Sequence, residues 1–122
     1  MADRHRIYSM PVSAVWPAYV NKLQRKCRTE DELIRVVRWL TGYDTRKLTA
    51  LLRKGTDLET FFAEAPCMNP ARILITGSIC GVRVEEIKEP TMQAIRYLDK
   101  LVDELAKGRP MEKVLRSTKE KA

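Results

Sequence analysis

The chain of 122 residues carries a single His, His5, and three Cys, at Cys27, Cys67 and Cys80. One imidazole in a polar N-terminal stretch leaves no second histidine for a Ser/His/Asp or Cys/His mechanism. It also excludes His-rich metal sites within one chain. The cysteines lie 40 and 13 positions apart, which fits neither a zinc pair nor a disulfide framework. They read as reduced, mostly buried small apolar residues, and so point to a cytoplasmic setting. The carboxylate pairs Glu85 with Glu86 and Asp99 with Asp103 are most simply solvated helix faces. No metal and no cofactor is expected.

One stretch, from Ile73 to Ile87, has the outline of a DNA-reading element. Gly77 lies four positions before the turn residue Gly81, Cys80 and Val82 flank that turn, and Ile87 would anchor a second helix, as in a helix-turn-helix. The chemistry objects: the first exposed positions of the recognition helix would be Glu85 and Glu86, which repel phosphate, and Pro90 cuts the helix after about two turns. Only Arg83 would remain as a groove contact. A phosphate cradle of backbone amides over Thr76 to Gly81 is a weaker reading, because the stretch lacks both the P-loop ending and the three-glycine fingerprint. A structural turn between packed segments accounts for it more simply.

The basic charge is placed at the ends of the chain. With 23 Lys and Arg against 16 Asp and Glu the net charge is +7, of which residues 1–28 hold +5 and residues 109–122 hold +3, the middle being near neutral. Arg4, Arg6, Lys22, Arg25, Lys26 and Arg28 at one end, with Arg109, Lys113, Arg116, Lys119 and Lys121 at the other, would form one patch if the termini meet. Such a patch is an electrostatic footprint for nucleic acid or another polyanion. Solubilising surface charge is the plainer alternative. Among the aromatics, Tyr43 beside Gly42 is expected to face a groove, and Arg35 and Arg38 beside Trp39 offer a stacking surface for a base.

The elements that must position these residues read as mostly α. Val12, Val15, Trp16, Tyr19, Val20, Leu23 and Cys27 fall at steps of three and four, giving a core-facing helix over about 13–27 that starts near Ser13 or later, or else kinks at Pro17. Thr29 with Glu32 makes a capping box for a second helix ending at Gly42. Asp44 or Thr45 caps a third helix that ends at Gly55, Asp57 caps a fourth that ends at Pro66, and Asn69-Pro70 opens another start. Over 73–84, β-branched residues broken by Gly77 and Gly81 let a short hairpin compete with a broken helix. Pro90 to Lys107 is an amphipathic helix, apolar at Met92, Ile95, Leu98, Leu101, Val102 and Leu105. Arg96, Asp99, Lys100, Asp103, Glu104 and Lys107 lie on its other face, with Lys100–Glu104 and Asp103–Lys107 as i,i+4 pairs. Pro110 opens a last turn before a polar tail from Ser117 to Ala122 that frays. The expected architecture is a single-domain bundle of five to six short helices over residues 1–116, with a small β element near 73–84, and no apolar run is long enough to span a membrane.

Five segments together resemble one known family. They are His5-Arg6-Ile7-Tyr8-Ser9-Met10, Arg38-Trp39-Leu40-Thr41-Gly42-Tyr43, Thr60-Phe61-Phe62-Ala63-Glu64-Ala65-Pro66, Leu74-Ile75-Thr76-Gly77 with Cys80-Gly81-Val82-Arg83-Val84-Glu85, and Arg96-Tyr97-Leu98-Asp99-Lys100-Leu101. Over about residues 4–116 the chain is similar to the uncharacterised bacterial domain-of-unknown-function family 2200. The resemblance implies a small cytoplasmic bacterial protein that is a whole gene product, and it implies no activity. Composition and charge favour a non-enzymatic binding or regulatory protein, with Arg4, Arg6, Lys22, Arg25, Lys26, Arg109, Lys113 and Arg116 as phosphate contacts and Arg83 as a groove contact. The alternatives are a homodimeric interaction module pairing through an apolar helix face, and a small enzyme working through a carboxylate, a Tyr or Cys80.

Overall fold

The computed structural model describes residues 6–79 and 81–116, and three of its helices begin where the capping chemistry places them. Helix α1 spans Val12–Gln24, α2 Glu30–Thr41, α3 Thr45–Lys54, α4 Leu58–Ala63, α5 Pro90–Ala106 and α6 Met111–Val114. Strands β1 (Ser78–Ile79) and β2 (Val82–Arg83) lie between α4 and α5, and 3-10 turns occupy Arg6–Ser9, Pro70–Leu74 and Val84–Glu86. At the start of α2, Thr29 Oγ1 accepts from the Glu32 amide at 3.3 Å and Glu32 Oε1 accepts from the Thr29 amide at 3.1 Å. Asp44 and Asp57 cap α3 and α4 in the same way, each accepting at 2.7 Å from the amide three residues on.

Gly42 ends α2 with φ of +83°, and a Cβ there would lie 3.0 Å from the backbone nitrogen and oxygen of Cys67. Both the left-handed backbone and the close approach require glycine. The approach is fastened by the Cys67 amide donating to Thr41 O (3.1 Å) and the Asn69 amide to Leu40 O (2.9 Å).

Helix α1 departs from expectation at both ends. It begins at Val12 rather than at Ser13 or later, because the Val12 amide donates to Thr56 O and the Leu58 amide to Met10 O, tying Pro11 against Asp57. Pro17 lies inside the helix, where it removes the donor for the Ser13 carbonyl; Ser13 and Pro17 are both exposed, so water can serve that carbonyl instead. The helix also stops at Gln24. Cys27 adopts φ of +63°, and the Arg28 amide donates back to Leu23 O at 2.8 Å, which closes the helix end as a left-handed cap. Cys27, on this cap, is exposed, and so is Cys67 in the turn after α4; neither is buried.

The stretch 78–83 is a hairpin and not a helix-turn-helix: Ser78 pairs with Arg83 and Ile79 with Val82 in antiparallel register. Gly77 at φ +109° and Gly81 at φ +79° open the backbone into conformations no helix contains. Glu85 then pins the hairpin, accepting from the Gly77 amide at 3.0 Å and from Arg83 Nε at 3.2 Å.

Helix α5 is the hub, touching α1, α2, α4, α6 and the hairpin. It is not one-sided: Met92, Ala94, Ile95, Tyr97, Leu98, Leu101, Val102, Glu104, Leu105 and Ala106 are all buried. Burial of this kind contributes about 25 cal/mol for each Å² of apolar surface removed from water, and the core is one contiguous cluster. Helix α1 runs alongside in the same direction, as shown by Tyr19 donating to Asp99 (2.5 Å) and Lys22 to Asp103 (3.3 Å). Tyr8 donates to Glu89 at the N-terminal end of α5.

Candidate nucleic-acid interface

The parallel alignment of α1 with α5 decides which basic residues can meet. The turn after α1 and the segment after α5 share one end of the bundle, where Arg28 Nη2 donates to the Arg109 carbonyl at 3.0 Å. Arg25, Lys26 and Lys113 are exposed there and form no ion pair among the described residues. Arg28 Nε lies 3.3 Å from Glu32 Oε1, but without hydrogen-bond geometry, so that nitrogen has no partner. The acidic first turn of α2, Glu30 to Glu32, borders the patch, where it suits the positive end of that helix.

Two carboxylates on α5 hold this end together. Asp103 is shared by Lys22 (3.3 Å) and Lys107 (3.1 Å). Burial would raise its pKa, but the hydrogen bonds from Lys107 and Lys22 outweigh that and hold its carboxyl below the ordinary value. Glu104 is buried, 5% exposed, and accepts from Arg116 through both oxygens, Nη1 at 2.7 Å and Nη2 at 2.8 Å, with Arg109 Nη1 at 3.3 Å. Sequence spacing places Glu104 in solvent beside Lys100. Instead α6 and its flanks fold back over the end of α5 and cover it, while Lys100 donates to Ser78 O at 3.3 Å. Each carboxylate faces two cations, so the end keeps a positive excess. Lys107, which the spacing shows only as a helix-face partner of Asp103, belongs to it.

The expected site residues thus separate. Arg25, Lys26, Arg28, Arg109 and Lys113 share one surface, with Lys22 at its edge. Arg116 is committed to Glu104 with 15% of its side chain exposed, and serves the fold. Arg6 sits in the turn packed on α4, at the opposite end of α5. Arg83 is exposed on the hairpin but lies 3.2 Å from Glu85 and 3.8 Å from Glu86, which neutralise it. Arg4, His5, Cys80, Lys119, Lys121 and the tail from Ser117 lie outside the described residues.

Other candidates resolve into structure. Gly77, whose amide would begin a phosphate cradle, gives that amide to Glu85, whose carboxyl is held below its ordinary pKa chiefly by this bond. Tyr43 does not face a groove: it is buried, donates to Phe61 O at 2.6 Å, and burial with nearby Glu64 pushes its pKa up to about 12. Asp99 and Asp103 are mostly shielded partners of α1 rather than a solvated face. Trp39 is half-buried against the core, with Arg35 and Arg38 exposed beside it. The apolar faces of α1, α2, α3 and α5 are turned into the core, while Met10, Ile73, Leu74 and Val82 stay exposed. Among the described residues no cluster of His, Cys, Asp and Glu is placed to hold a metal ion, and no helix is long and apolar enough to cross a membrane.

No curated protein matches the chain. It is similar to the uncharacterized protein SP1917, whose crystal structure superposes with a TM-score of 0.86 at 45% identity over 94% of each chain. The family described as an uncharacterized protein conserved in bacteria matches residues 6–116, nearly all of what the structure describes. The chain accordingly belongs to the bacterial domain-of-unknown-function family 2200.

Proposed function

We propose that this protein is a non-enzymatic binding protein of the bacterial cytoplasm that holds a polyanion, nucleic acid foremost, on the basic end of its bundle. The observation that carries the reading is the hydrogen bond from Arg28 to the Arg109 carbonyl. It joins two basic segments some 80 positions apart in sequence, and leaves Arg25, Lys26 and Lys113 pointing at no carboxylate. Exposed thiols at Cys27 and Cys67 suit a reducing compartment.

Four phosphate contacts, from Arg25, Lys26, Arg109 and Lys113, would give a log–log salt slope of about −3.6 on duplex DNA, at about −0.9 for each phosphate neutralised. Fluorescence anisotropy with labelled random-sequence duplex should then show affinity falling about 150-fold between roughly 50 and 200 mM salt. Binding without salt dependence, or none at the lowest salt, would reduce the charge to a solubility device. Contacts to phosphate carry no sequence information of their own, so the expected binding is indifferent to sequence.

A further inference from the structure

A second site lies away from the basic end, in a cleft of about 190 Å³ between α4, the turn after it and the first half of α5. Phe62, Met68 and Ala94 supply apolar walls, and Arg72, Gln93 and Tyr97 supply polar groups. Tyr97 stands apart from the other tyrosines. Tyr8 donates to Glu89, Tyr19 to Asp99 and Tyr43 to Phe61 O, whereas the Tyr97 hydroxyl has no partner among the described residues although the residue is only 4% exposed. Tyr97 lines the cleft, and its hydroxyl is not among the sealed, unsatisfied atoms of the core. Water can serve such a hydroxyl, and a ligand that accepts from it can take the place of that water.

Arg72 is the complementary group. Its Nη1 donates to Met68 O at 3.2 Å and Asn69 O at 2.9 Å, which fixes the guanidinium plane and leaves its other edge available. No carboxylate pairs with it among the described residues. Burial, with nearby Glu85, raises the Tyr97 pKa against the opposing pull of Arg72, and the phenol is a hydrogen-bond donor. The start of α5 faces the same cleft through Pro90 and Thr91, with no side chain capping it, so its positive end adds to the anionic preference.

We infer that this cleft binds a small carboxylic acid with a compact apolar body, its carboxylate on Arg72 and the Tyr97 hydroxyl and its body against Phe62, Met68 and Ala94. The size agrees, since an apolar cavity of about 150 Å³ takes benzene. Gln93 donates Nε2 to Val84 O at 3.0 Å, which leaves Oε1 to accept from a hydroxyl or amine on the ligand and so to select among acids. This site and the basic end are separate, and either stands without the other.

The test is an amide NMR titration of the full chain with sodium benzoate at constant ionic strength, with benzyl alcohol and benzamidine as neutral and cationic counterparts. Saturable shifts are expected at Phe62 and Ala63, around Arg72 and over the first half of α5, with Kd of about 1 mM or tighter for a ligand of this size. Tyr97→Phe keeps the shape of the cleft and should weaken benzoate about 10-fold, the worth of a hydrogen bond to a charged group. Arg72→Gln should weaken it at least as much, and thermal unfolding of each variant separates lost binding from lost fold. Equal affinity for benzyl alcohol, wild-type affinity in a folded Tyr97→Phe, or shifts confined to Arg25, Lys26 and Lys113 would each overturn the assignment.

Discussion

Glu104→Gln should destabilise the protein by about 3 kcal/mol, a large share of the roughly 5–15 kcal/mol that holds a domain together. The reason is the asymmetry of buried charge. Glu104 is 5% exposed and receives both arms of Arg116, itself only 15% exposed in its side chain. An amide in its place offers one acceptor and no charge, so Arg116 is left desolvated and uncompensated. Arg109 matters less, because 47% of its side chain is exposed and water can solvate it. Removing both members of the buried pair together, as Glu104→Leu with Arg116→Met, should recover most of the loss, since apolar replacements of matched volume remove the desolvation along with the attraction. The measurement is urea unfolding of the three proteins. A loss under about 1 kcal/mol in Glu104→Gln would mean that solvent reaches the cluster.

The second large effect concerns binding. Neutralising Arg25, Lys26 and Lys113 together should flatten the salt slope on duplex DNA by about 2.7 units, three phosphate contacts at about 0.9 each. All three are exposed and bond to no carboxylate, so the triple variant should unfold like the wild type, within about 0.5 kcal/mol. Arg6→Ala with Arg83→Ala is the matched control. Those residues sit at the other end of α5 and on a hairpin that neutralises itself, and the control slope should stay within about one unit of wild type. Anisotropy titrations of the two variants side by side decide it.

Much of this arrangement was legible in the sequence, and the limits have physical causes. Capping chemistry is local, so Thr29 with Glu32, Asp44, Asp57, Gly42 and Gly55 mark their helix ends correctly. The hairpin competes with a broken helix in sequence because Gly77 and Gly81 permit either, and only its pairing partner and Glu85 choose between them. Glu104 misleads for another reason. Periodicity tells which side of a helix is apolar but not how many neighbours the helix has, and α5 has them nearly all round. Cys27 continues the apolar spacing of α1 yet lies beyond its end, since a left-handed non-glycine residue leaves no local signal. Composition places the basic charge at the chain ends without saying which ends meet. The parallel course of α1 and α5 supplies that, separating Arg6 from Arg109 and bringing Arg28 to it. Tyr97 is one more buried aromatic, and what distinguishes it is that its hydroxyl has no partner among the described residues.

The central claim is that one end of the bundle, and not the charge of the whole chain, holds the polyanion. Amide NMR of the wild-type protein with a short random-sequence duplex at about 50 mM salt tests it most directly. Shifts gathered over Arg25 to Arg28 and Lys107 to Lys113, and reversed by added salt, are the predicted result. Shifts centred on Arg6 or on the hairpin around Arg83, or spread evenly over every exposed Lys and Arg, would contradict it.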